Sequence, residues 1–296
     1  MKILLLGKNG QVGWELQRSL ASVGELVALG RDDTQLCGDM SDLAGLATTL
    51  REVCPDVIVN AAAYTAVDKA EVDMQKVYLV NALAPEVLAR YASRSGALLV
   101  HYSTDYVFDG TGNNAWCETD ATGPLNVYGQ TKLEGERRIQ DVCTNHLIFR
   151  TSWVYGSRGG NFAKTMLRLG QERKQLTLVN DQFGAPTGAD FLADATAHCI
   201  RQCVEQPTLA GLYHLAAAGV TTWFDYANYV LSQALIAKPT LGLVVNNVTA
   251  VSSNAFKTTA KRPLNSRLDT RHVERQFDLV SPHWQRGIDR LLSEIL

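Results

Sequence analysis

Residues 3–13 read ILLLGKNGQVG, an apolar run that passes directly into a loop with three glycines. The run Ile3–Leu6 has the composition of a buried β-strand, and the segment Trp14–Ala21 has the pattern of an amphipathic helix. Glycines between a strand and a helix allow a tight turn and let the backbone approach a pyrophosphate at the positive end of the helix. We therefore predict a dinucleotide-binding loop here, with an ordinary turn as the alternative. The residues of this loop expected to contact the dinucleotide are Gly7, Asn9, Gly10, Gln11, Val12 and Gly13.

Short apolar runs recur along the first half of the chain, and segments of helical length separate most of them. This alternation predicts βαβ units and a parallel sheet. The runs are continuous rather than alternating in polarity, as expected for strands that helices cover on both faces. The predicted fold class is therefore a Rossmann-like, doubly wound α/β fold. The later runs are Leu26–Leu29, Val57–Val59, Leu98–Tyr102 and Leu147–Phe149.

Composition narrows the class of protein. The chain has 296 residues, of which 46% are hydrophobic, and its 28 Lys and Arg against 30 Asp and Glu give a net charge of −2. Without a broad basic field we expect no nucleic-acid partner. No run approaches the roughly 18 apolar residues of a spanning helix, and the first apolar stretch is too short for a signal peptide, so we expect no membrane partner. Six cysteines without Cys-x-x-Cys spacing indicate a reduced, cytoplasmic protein.

The end of the second predicted strand bears on the choice of nicotinamide cofactor. Many NAD-specific proteins place an acidic residue there, which bonds the adenosine ribose 2′-hydroxyl. This chain has Gly30 and Arg31 after Leu29, and a guanidinium can pair with a 2′-phosphate. We therefore predict a preference for NADPH, while Asp32 and Asp33 keep NADH open as an alternative.

Small and polar residues follow other predicted strands at places that a dinucleotide would cross. The segment Ala61–Ala63 follows the strand Val57–Val59, and its small side chains leave room for the cofactor. Ligands of parallel sheets bind at the carboxyl ends of the strands, so the order of these residues along the chain favours one common site. The further candidates for cofactor contact are Asp39, Met40, Ala62, Ala63, Thr65 and Tyr102.

Tyr128 and Lys132 are the candidate catalytic pair. They lie four residues apart in the predicted helix Val127–Ile139, so their side chains share one face of it. A neighbouring ammonium favours the phenolate, so we expect Lys132 to lower the pKa of Tyr128 towards the operating range of a general acid. Tyr128 is then the predicted proton donor.

Thr104 and Asp105 end the fourth predicted strand, on the same carboxyl edge as the glycine loop. A hydroxyl from Thr104 would bond the substrate oxygen and hold it near Tyr128. For Asp105 we expect a substrate contact, with the capping of a turn as the alternative.

The glycine loop, Ser103-Thr104-Asp105 and Tyr-x-x-x-Lys together resemble the extended short-chain dehydrogenase/reductase superfamily. Five further segments, spread over nearly the whole chain, resemble its dTDP-4-dehydrorhamnose reductase family. These segments are Tyr102–Gly110, Pro124–Gly129, Arg150–Tyr155, Asp181–Thr187 and Arg262–Ser266.

The resemblance implies a reaction and a substrate. Hydride from NADPH, or NADH, would reduce the C4 keto group of dTDP-4-dehydro-L-rhamnose and give dTDP-L-rhamnose for surface polysaccharide. It implies that Thr104, Asp105 and Trp153 bind the sugar, with core packing of Trp153 as the alternative, and that Lys132 also holds the nicotinamide ribose. For the pyrophosphate the candidate cations are Lys261, Arg262 and Arg267, with a solvated basic loop as the alternative.

The resemblance also bears on the domains, metal and assembly. We predict a dinucleotide-binding domain over residues 1–151 and a smaller, mainly substrate-binding α/β domain over 152–296. The family's chain crosses between lobes, which implies a discontinuous second domain. The chain is expected to return to the dinucleotide-binding domain near 174–190 and 211–224. Some members have been associated with Mg²⁺ at a dimer contact, which makes a homodimer and a metal site at Glu15, Asp190 and Glu294 further predictions, with ordinary surface acids as the alternative.

Two other functions stay open on the residues. One is a sugar-nucleotide epimerase or dehydratase of the same fold, although Tyr106 follows Asp105 where such dehydratases have a glutamate. The other is a non-catalytic NADP-binding regulator resembling the β subunit of methionine adenosyltransferase. The intact set of Thr104, Tyr128 and Lys132 counts against the regulator.

Overall fold

The structure is a computed structural model that describes residues 1–256 and 258–296 of the chain. Its strands in chain order are β1 (Lys2–Leu6), β2 (Glu25–Leu29), β3 (Val57–Asn60), β4 (Leu98–Thr104), β5 (His146–Thr151), β6 (Val154–Tyr155), β7 (Gln175–Val179), β8 (Phe183–Gly184), β9 (Thr187–Gly188), β10 (Gly211–His214), β11 (Thr221–Thr222) and β12 (Asn247–Val251). Its α-helices are α1 (Gln11–Leu20), α2 (Leu43–Val53), α3 (Val67–Ala70), α4 (Met74–Tyr78), α5 (Ala84–Ser95), α6 (Val127–Val142), α7 (Phe162–Glu172), α8 (Ala189–Glu205), α9 (Trp223–Ala237), α10 (Arg271–Phe277) and α11 (Trp284–Ile295).

The central sheet has six strands in the order β2-β1-β3-β4-β5-β10, and every neighbouring pair is parallel. Its first five strands contain the five predicted apolar runs and extend them by one to three residues, so the predicted Rossmann-like fold class is confirmed. The order reverses at β1, which has β2 on one side and β3 on the other. In open parallel sheets a ligand crevice lies at such a reversal, outside the carboxyl ends of the strands.

The apolar run of β1 is continuous because both faces of the sheet are covered. Successive side chains of a strand point to opposite faces. Ile3 and Leu5 belong to a buried cluster that includes side chains of α1 and α8, whereas Leu4 and Leu6 belong to one that includes side chains of α2 and α5. The core therefore lies on both sides of the sheet and holds the carboxyl ends of β1, β3 and β4 in place.

A third buried apolar cluster lies in the second half of the chain. It joins α7, α9 and α11 around Tyr226, Trp284 and Ile288. The strands of the segment 174–190 pair with β6, β11 and β12, which also lie in this half of the chain. The helix α8 and the strand β10 instead pack against the first half. The domain division at residue 151 stays a prediction.

Within residues 1–256 and 258–296, none of the helices combines the length and the apolar character needed to cross a bilayer.

Candidate active site

The phosphate loop, residues 7–13, is built for close backbone approach. Gly7 has a φ of +90°, and a Cβ there would lie 2.7 Å from the Ala62 nitrogen. A Cβ at Gly13 would lie 2.0 Å from the Gly7 oxygen. Gly10 is the N-cap residue of α1 and offers no side chain to its first turn. The backbone N–H groups at this helix end are therefore available to an anion.

A cavity of about 320 Å³ lies at the carboxyl ends of β1, β2 and β3. A cradle kept open by glycine and alanine fits a dinucleotide. Of the residues predicted to bind the cofactor, those lining the cavity are Gly7, Asn9, Gly10, Arg31, Asp39, Met40, Ala62 and Ala63. Lining residues that the sequence did not single out include Ser41, Tyr64, Lys76 and Val80.

Six predicted cofactor residues lie outside the lining of this cavity. Gln11, Val12 and Gly13 form the first turn of α1, and the Gln11 amide oxygen accepts from Asn161 at 3.1 Å. Thr65 is exposed, beyond Tyr64. The remaining two are Tyr102 and Lys132.

Tyr102 stays a predicted cofactor residue, but its side chain points away from the cofactor cavity. Its phenol is buried in the core behind the sheet and lies 2.5 Å from the Thr196 hydroxyl, because this side chain points to the face that α8 covers. Only its backbone carbonyl faces the catalytic side, where it accepts from Lys132.

The groups at the end of β2 favour a phosphorylated ribose. The Asp33 carboxylate is turned inward, where it accepts from Lys8 Nζ at 2.6 Å and from the Gly30 N–H at 2.8 Å. Both bonds lower the pKa of Asp33, and the bond from Lys8 has the larger effect. Lys8 thus balances the nearer carboxylate, while Arg31 lies at the cavity with its guanidinium largely exposed and 3.3 Å from Asp32. The part of Lys8 was not predicted, because the pairing depends on how the loop folds over β2.

The candidate catalytic pair, Tyr128 and Lys132, lies at the start of α6. Asn126 caps this helix through a bond that its side chain accepts from the Gly129 N–H at 2.8 Å, and it places Tyr128 and Lys132 one turn apart. Lys132 is 1% exposed, and its Nζ donates to the Tyr102 carbonyl at 2.5 Å and lies 3.0 Å from His101 Nε2. The helix therefore directs both side chains to the carboxyl edge of β4.

The expected lowering of the pKa of Tyr128 is wrong for this arrangement. Burial raises the pKa of its phenol to about 12, which a hydrogen bond with Thr104 opposes and the Asp105 charge reinforces. Desolvation outweighs the neighbouring cation, because Lys132 is turned towards His101 and the backbone of β4. Tyr128 consequently holds its proton through the neutral and mildly alkaline range.

Thr104 and Asp105 complete this part of the site. The Thr104 hydroxyl donates to Asp105 Oδ1 at 3.0 Å and accepts from the Tyr106 N–H at 3.1 Å, and it lies beside the Tyr128 phenol. Burial raises the pKa of Asp105 to about 7, against hydrogen bonds from Ser266 and Thr104. Its Oδ2 atom is buried and has no hydrogen-bond partner among the described residues. Threonine and tyrosine hydroxyls thus meet at one point of the sheet edge.

Trp153 packs against the edge of the third buried cluster. It is half-buried in a left-handed conformation with a φ of +48°, and its ring stacks on Trp223 with centroids 3.7 Å apart. Space for this ring exists because residue 184 is glycine: a Cβ there would lie 2.7 Å from the indole. Trp223 itself donates through Nε1 to the Gln182 side-chain oxygen at 3.0 Å.

A second cavity, of about 780 Å³, opens beside this aromatic stack. It is lined by Phe162, Gln182, Trp223, Lys261 and Arg262, among others. Arg262 pairs with Asp68 at 2.8 Å, while its buried Nε has no hydrogen-bond partner in the described part of the chain. Cations and stacked aromatics in one cavity suit an anionic ligand that carries a ring.

The lining of this second cavity was predicted only in part. Arg262 was singled out from its charge, and Gln182 lies in a segment that carried the family resemblance. Phe162 and Trp223 were not predicted, because each lies at the start of an amphipathic helix, where an aromatic residue has the pattern of core packing.

The three candidate metal ligands do line one small pocket. Arg290 shares it and lies 3.4 Å from Asp190 and 3.1 Å from Glu294, while Glu15 contacts Arg18. In the described ranges there is no group of three His, Cys, Asp or Glu side chains placed to hold a metal ion. Because the Arg290 guanidinium already pairs with two of the three acids, this pocket does not fit a metal ion.

Comparison with known proteins decides the family. The model of a family described as RmlD substrate binding domain matches residues 1–296. The chain is 58% identical to the dTDP-4-dehydrorhamnose reductase of Salmonella typhimurium, over 100% of this chain and 98% of the relative. It belongs to the dTDP-4-dehydrorhamnose reductase family. The family member of that name from Escherichia coli K12 is 56% identical over the same shares.

Solved structures of the family agree with this assignment. A Bacillus anthracis dTDP-4-dehydrorhamnose reductase in complex with NADP has a TM-score of 0.87 and 32% identity, with 99% of each chain covered. A dTDP-glucose 4,6-dehydratase from Streptomyces venezuelae has a TM-score of 0.78 at 20% identity, over 99% of this chain and 96% of that one. At that identity the second likeness shows the fold alone.

Proposed function

We propose that the protein reduces the C4 keto group of dTDP-4-dehydro-L-rhamnose with NADPH and so forms dTDP-L-rhamnose. The observation that carries this is the contact of the Thr104 and Tyr128 hydroxyls at the same sheet edge as the phosphate loop. Relatives named for this reaction are 56–58% identical over the whole chain, which supports the choice of substrate.

The first cavity would hold the cofactor. Backbone N–H groups of the phosphate loop would face the pyrophosphate, and Arg31 would pair with the 2′-phosphate. When bound, NADPH supplies the hydride. The Bacillus anthracis relative in complex with NADP supports this cofactor, and the Lys8–Asp33 pair removes one obstacle to the extra phosphate.

Tyr128 would supply the proton. Its phenol is protonated at neutral pH, since its pKa is about 12, and a positioned acid of this kind contributes roughly 10²–10⁴-fold to a rate. Thr104 would hold the same substrate oxygen in line with the phenol. Lys132, as an ammonium one turn further along α6, would favour the phenolate that remains after the proton has left.

The second cavity would hold the sugar nucleotide. Lys261 and Arg262 would face the pyrophosphate, and the unpartnered Arg262 Nε supports this because a guanidinium can donate from two nitrogens to one phosphate. Trp153 and Trp223 provide flat apolar surface for a ring. A homodimer and a cytoplasmic location stay predictions.

The test is a turnover assay that follows nicotinamide absorbance after addition of dTDP-4-dehydrorhamnose, with NADPH and NADH in separate reactions. We expect one NADPH oxidised per molecule of sugar nucleotide, with the higher kcat/KM for NADPH. An epimerase or dehydratase would show no net oxidation, and a regulator would show no turnover. Either result would overturn the proposal, and a higher kcat/KM with NADH would overturn the choice of cofactor.

A further inference from the structure

A buried line of polar side chains connects the cofactor cavity with the catalytic lysine. Asn60 at the end of β3, His101 on β4 and Lys132 on α6 are each 1% exposed. Asn60 Nδ2 lies 3.0 Å from His101 Nδ1, and His101 Nε2 lies 3.0 Å from Lys132 Nζ. At the other end, the N–H of Ala62, which lines the cofactor cavity, donates to Asn60 Oδ1 at 3.1 Å.

The donors and acceptors of this line fix the tautomer of His101. A backbone N–H only donates, so the Asn60 oxygen faces Ala62 and the Asn60 NH₂ group faces His101 Nδ1. Nδ1 therefore accepts, and the proton of the neutral ring is on Nε2. Burial and the neighbouring Lys132 hold the pKa of His101 well below its ordinary value, which keeps the ring neutral.

The Nε2–H group of His101 then points at Lys132 Nζ. An ammonium has three donors and no acceptor, so it cannot accept this bond, whereas a neutral amine can. The same Nζ donates to the Tyr102 carbonyl. Both contacts are hydrogen bonds when Lys132 is an amine that accepts from His101 and donates to Tyr102.

We propose that His101, held in one tautomer by Asn60, is a positioning residue that controls the protonation of Lys132 and thereby sets the alkaline limit of the reaction. The proposal rests on the proposed function, in which the Lys132 ammonium acts beside Tyr128. It assigns a purpose to two buried polar residues that touch neither cavity directly.

The other charged groups around Lys132 leave room for this control. On its own helix, Tyr128 lies one turn before and Glu136 one turn after, and Glu136 is paired with Arg150 of β5 at 2.6 Å. Burial lowers the pKa of Lys132 to about 8, which Glu136 opposes, whereas the pKa of Tyr128 is about 12. As pH rises, Lys132 therefore loses its proton well before Tyr128 does.

The substitution Asn60→Asp tests whether Asn60 and His101 control the protonation of Lys132. A carboxylate at this position accepts from both Ala62 and His101, so it moves the imidazole proton to Nδ1 and leaves Nε2 as an acceptor for an ammonium. We expect the alkaline limb of kcat/KM to move upward by about one pH unit, the size of an ordinary charge-partner effect. His101→Phe, which removes the Nε2 donor, should move it in the same direction.

His146→Phe is the matched control. His146 is a buried histidine on the neighbouring strand β5, and its Nδ1 bonds the Cys143 carbonyl rather than any group near Lys132. Its alkaline limb should coincide with that of the unaltered protein. If all four profiles share one limb while kcat falls equally at every pH, His101 is only structural and the proposal is wrong.

A second readout does not depend on turnover. In full-length protein labelled with ¹⁵N-histidine, NMR distinguishes the two neutral tautomers, and the His101→Phe spectrum assigns the His101 signals. We expect the Nε2–H form in the unaltered protein and the Nδ1–H form in Asn60→Asp. An Nδ1–H form in the unaltered protein would overturn the proposed role of His101. Absence of turnover together with the expected tautomers would overturn only the proposed reductase function.

Discussion

The cofactor cavity and the sugar-nucleotide cavity are built from different kinds of residue. The first is lined mostly by glycines, alanines and short side chains that directly follow β1, β2 and β3. The lining of the second includes three aromatic rings and the long side chains of Gln182, Lys261 and Arg262, and most of it comes from α7, β7, α9 and the segments 253–256 and 258–264, which are far apart in the chain. The first cavity is therefore encoded in local patterns, and the second exists only once the chain has folded. Substitutions on each side should consequently affect one ligand and leave the other unchanged.

The largest effect is expected at the candidate proton donor between the two cavities. Tyr128→Phe removes the proton donor and leaves the shape of both cavities unchanged, so kcat should fall by about 10²–10⁴-fold. Steady-state kinetics should show this fall, and the Kd for NADPH from fluorescence titration should change little. Near-normal turnover would assign the proton donor elsewhere.

The next effect is confined to the cofactor side. Gly13→Ala places a Cβ 2.0 Å from the Gly7 oxygen, so the phosphate loop must shift, and a misplacement of about 1 Å can cost on the order of 100-fold. We expect the KM for NADPH to rise by about this factor. Gly160→Ala is the control, since its Cβ meets no atom within 4 Å. Equal NADPH binding by both variants would contradict the described loop geometry.

A smaller effect is expected on the substrate side. Trp223→Ala removes the partner of Trp153, and an aromatic pair contributes about 0.5–1.5 kcal/mol beyond its burial. The KM for the sugar nucleotide should rise by roughly two- to ten-fold, while that for NADPH should stay constant. Trp223→Phe should restore most of the loss. A change in both constants would mean that the two cavities are not independent.

The smallest effect concerns stability at the point of contact. The pKa of Asp105 is raised to about 7 in the folded protein from an ordinary 3.8, so the folded state binds more protons between these values. Stability must therefore fall as pH rises from about 4 to 7. Asp105→Asn removes this loss and should raise Tm at pH 8 by about 3 °C or more relative to the unaltered protein, with little gain at pH 4. A Tm gain of the same size at both pH values would contradict the raised pKa.

The same contrast explains how much the sequence revealed. Five apolar runs predicted the first five strands, and the glycine spacing and the Tyr-x-x-x-Lys pair predicted the loop and the catalytic helix. Each of these depends on residues close together in the chain. The strand β10 was predicted only as a return of the chain near 211–224, because its sequence has just two adjacent apolar residues and its partner β5 lies far earlier in the chain.

Two side chains at the site differ from expectation for one shared physical reason. The sequence indicates which side chains share a helix face, but it does not reveal how deeply that face is buried. Tyr128 was therefore expected to have a lowered pKa, whereas burial raises it. Tyr102 was assigned to the cofactor, whereas its phenol lies behind the sheet against Thr196.

The central claim is that hydride and proton reach one keto group between the two cavities. Its most direct test is a reaction in ordinary water with NADPH that carries deuterium as the transferred hydride on C4 of the nicotinamide ring. The sugar nucleotide is then analysed by NMR. We predict one deuterium on carbon 4 of the product sugar, with the hydroxyl proton taken from the solvent. A product without deuterium on that carbon would contradict direct reduction and with it the proposed use of the site.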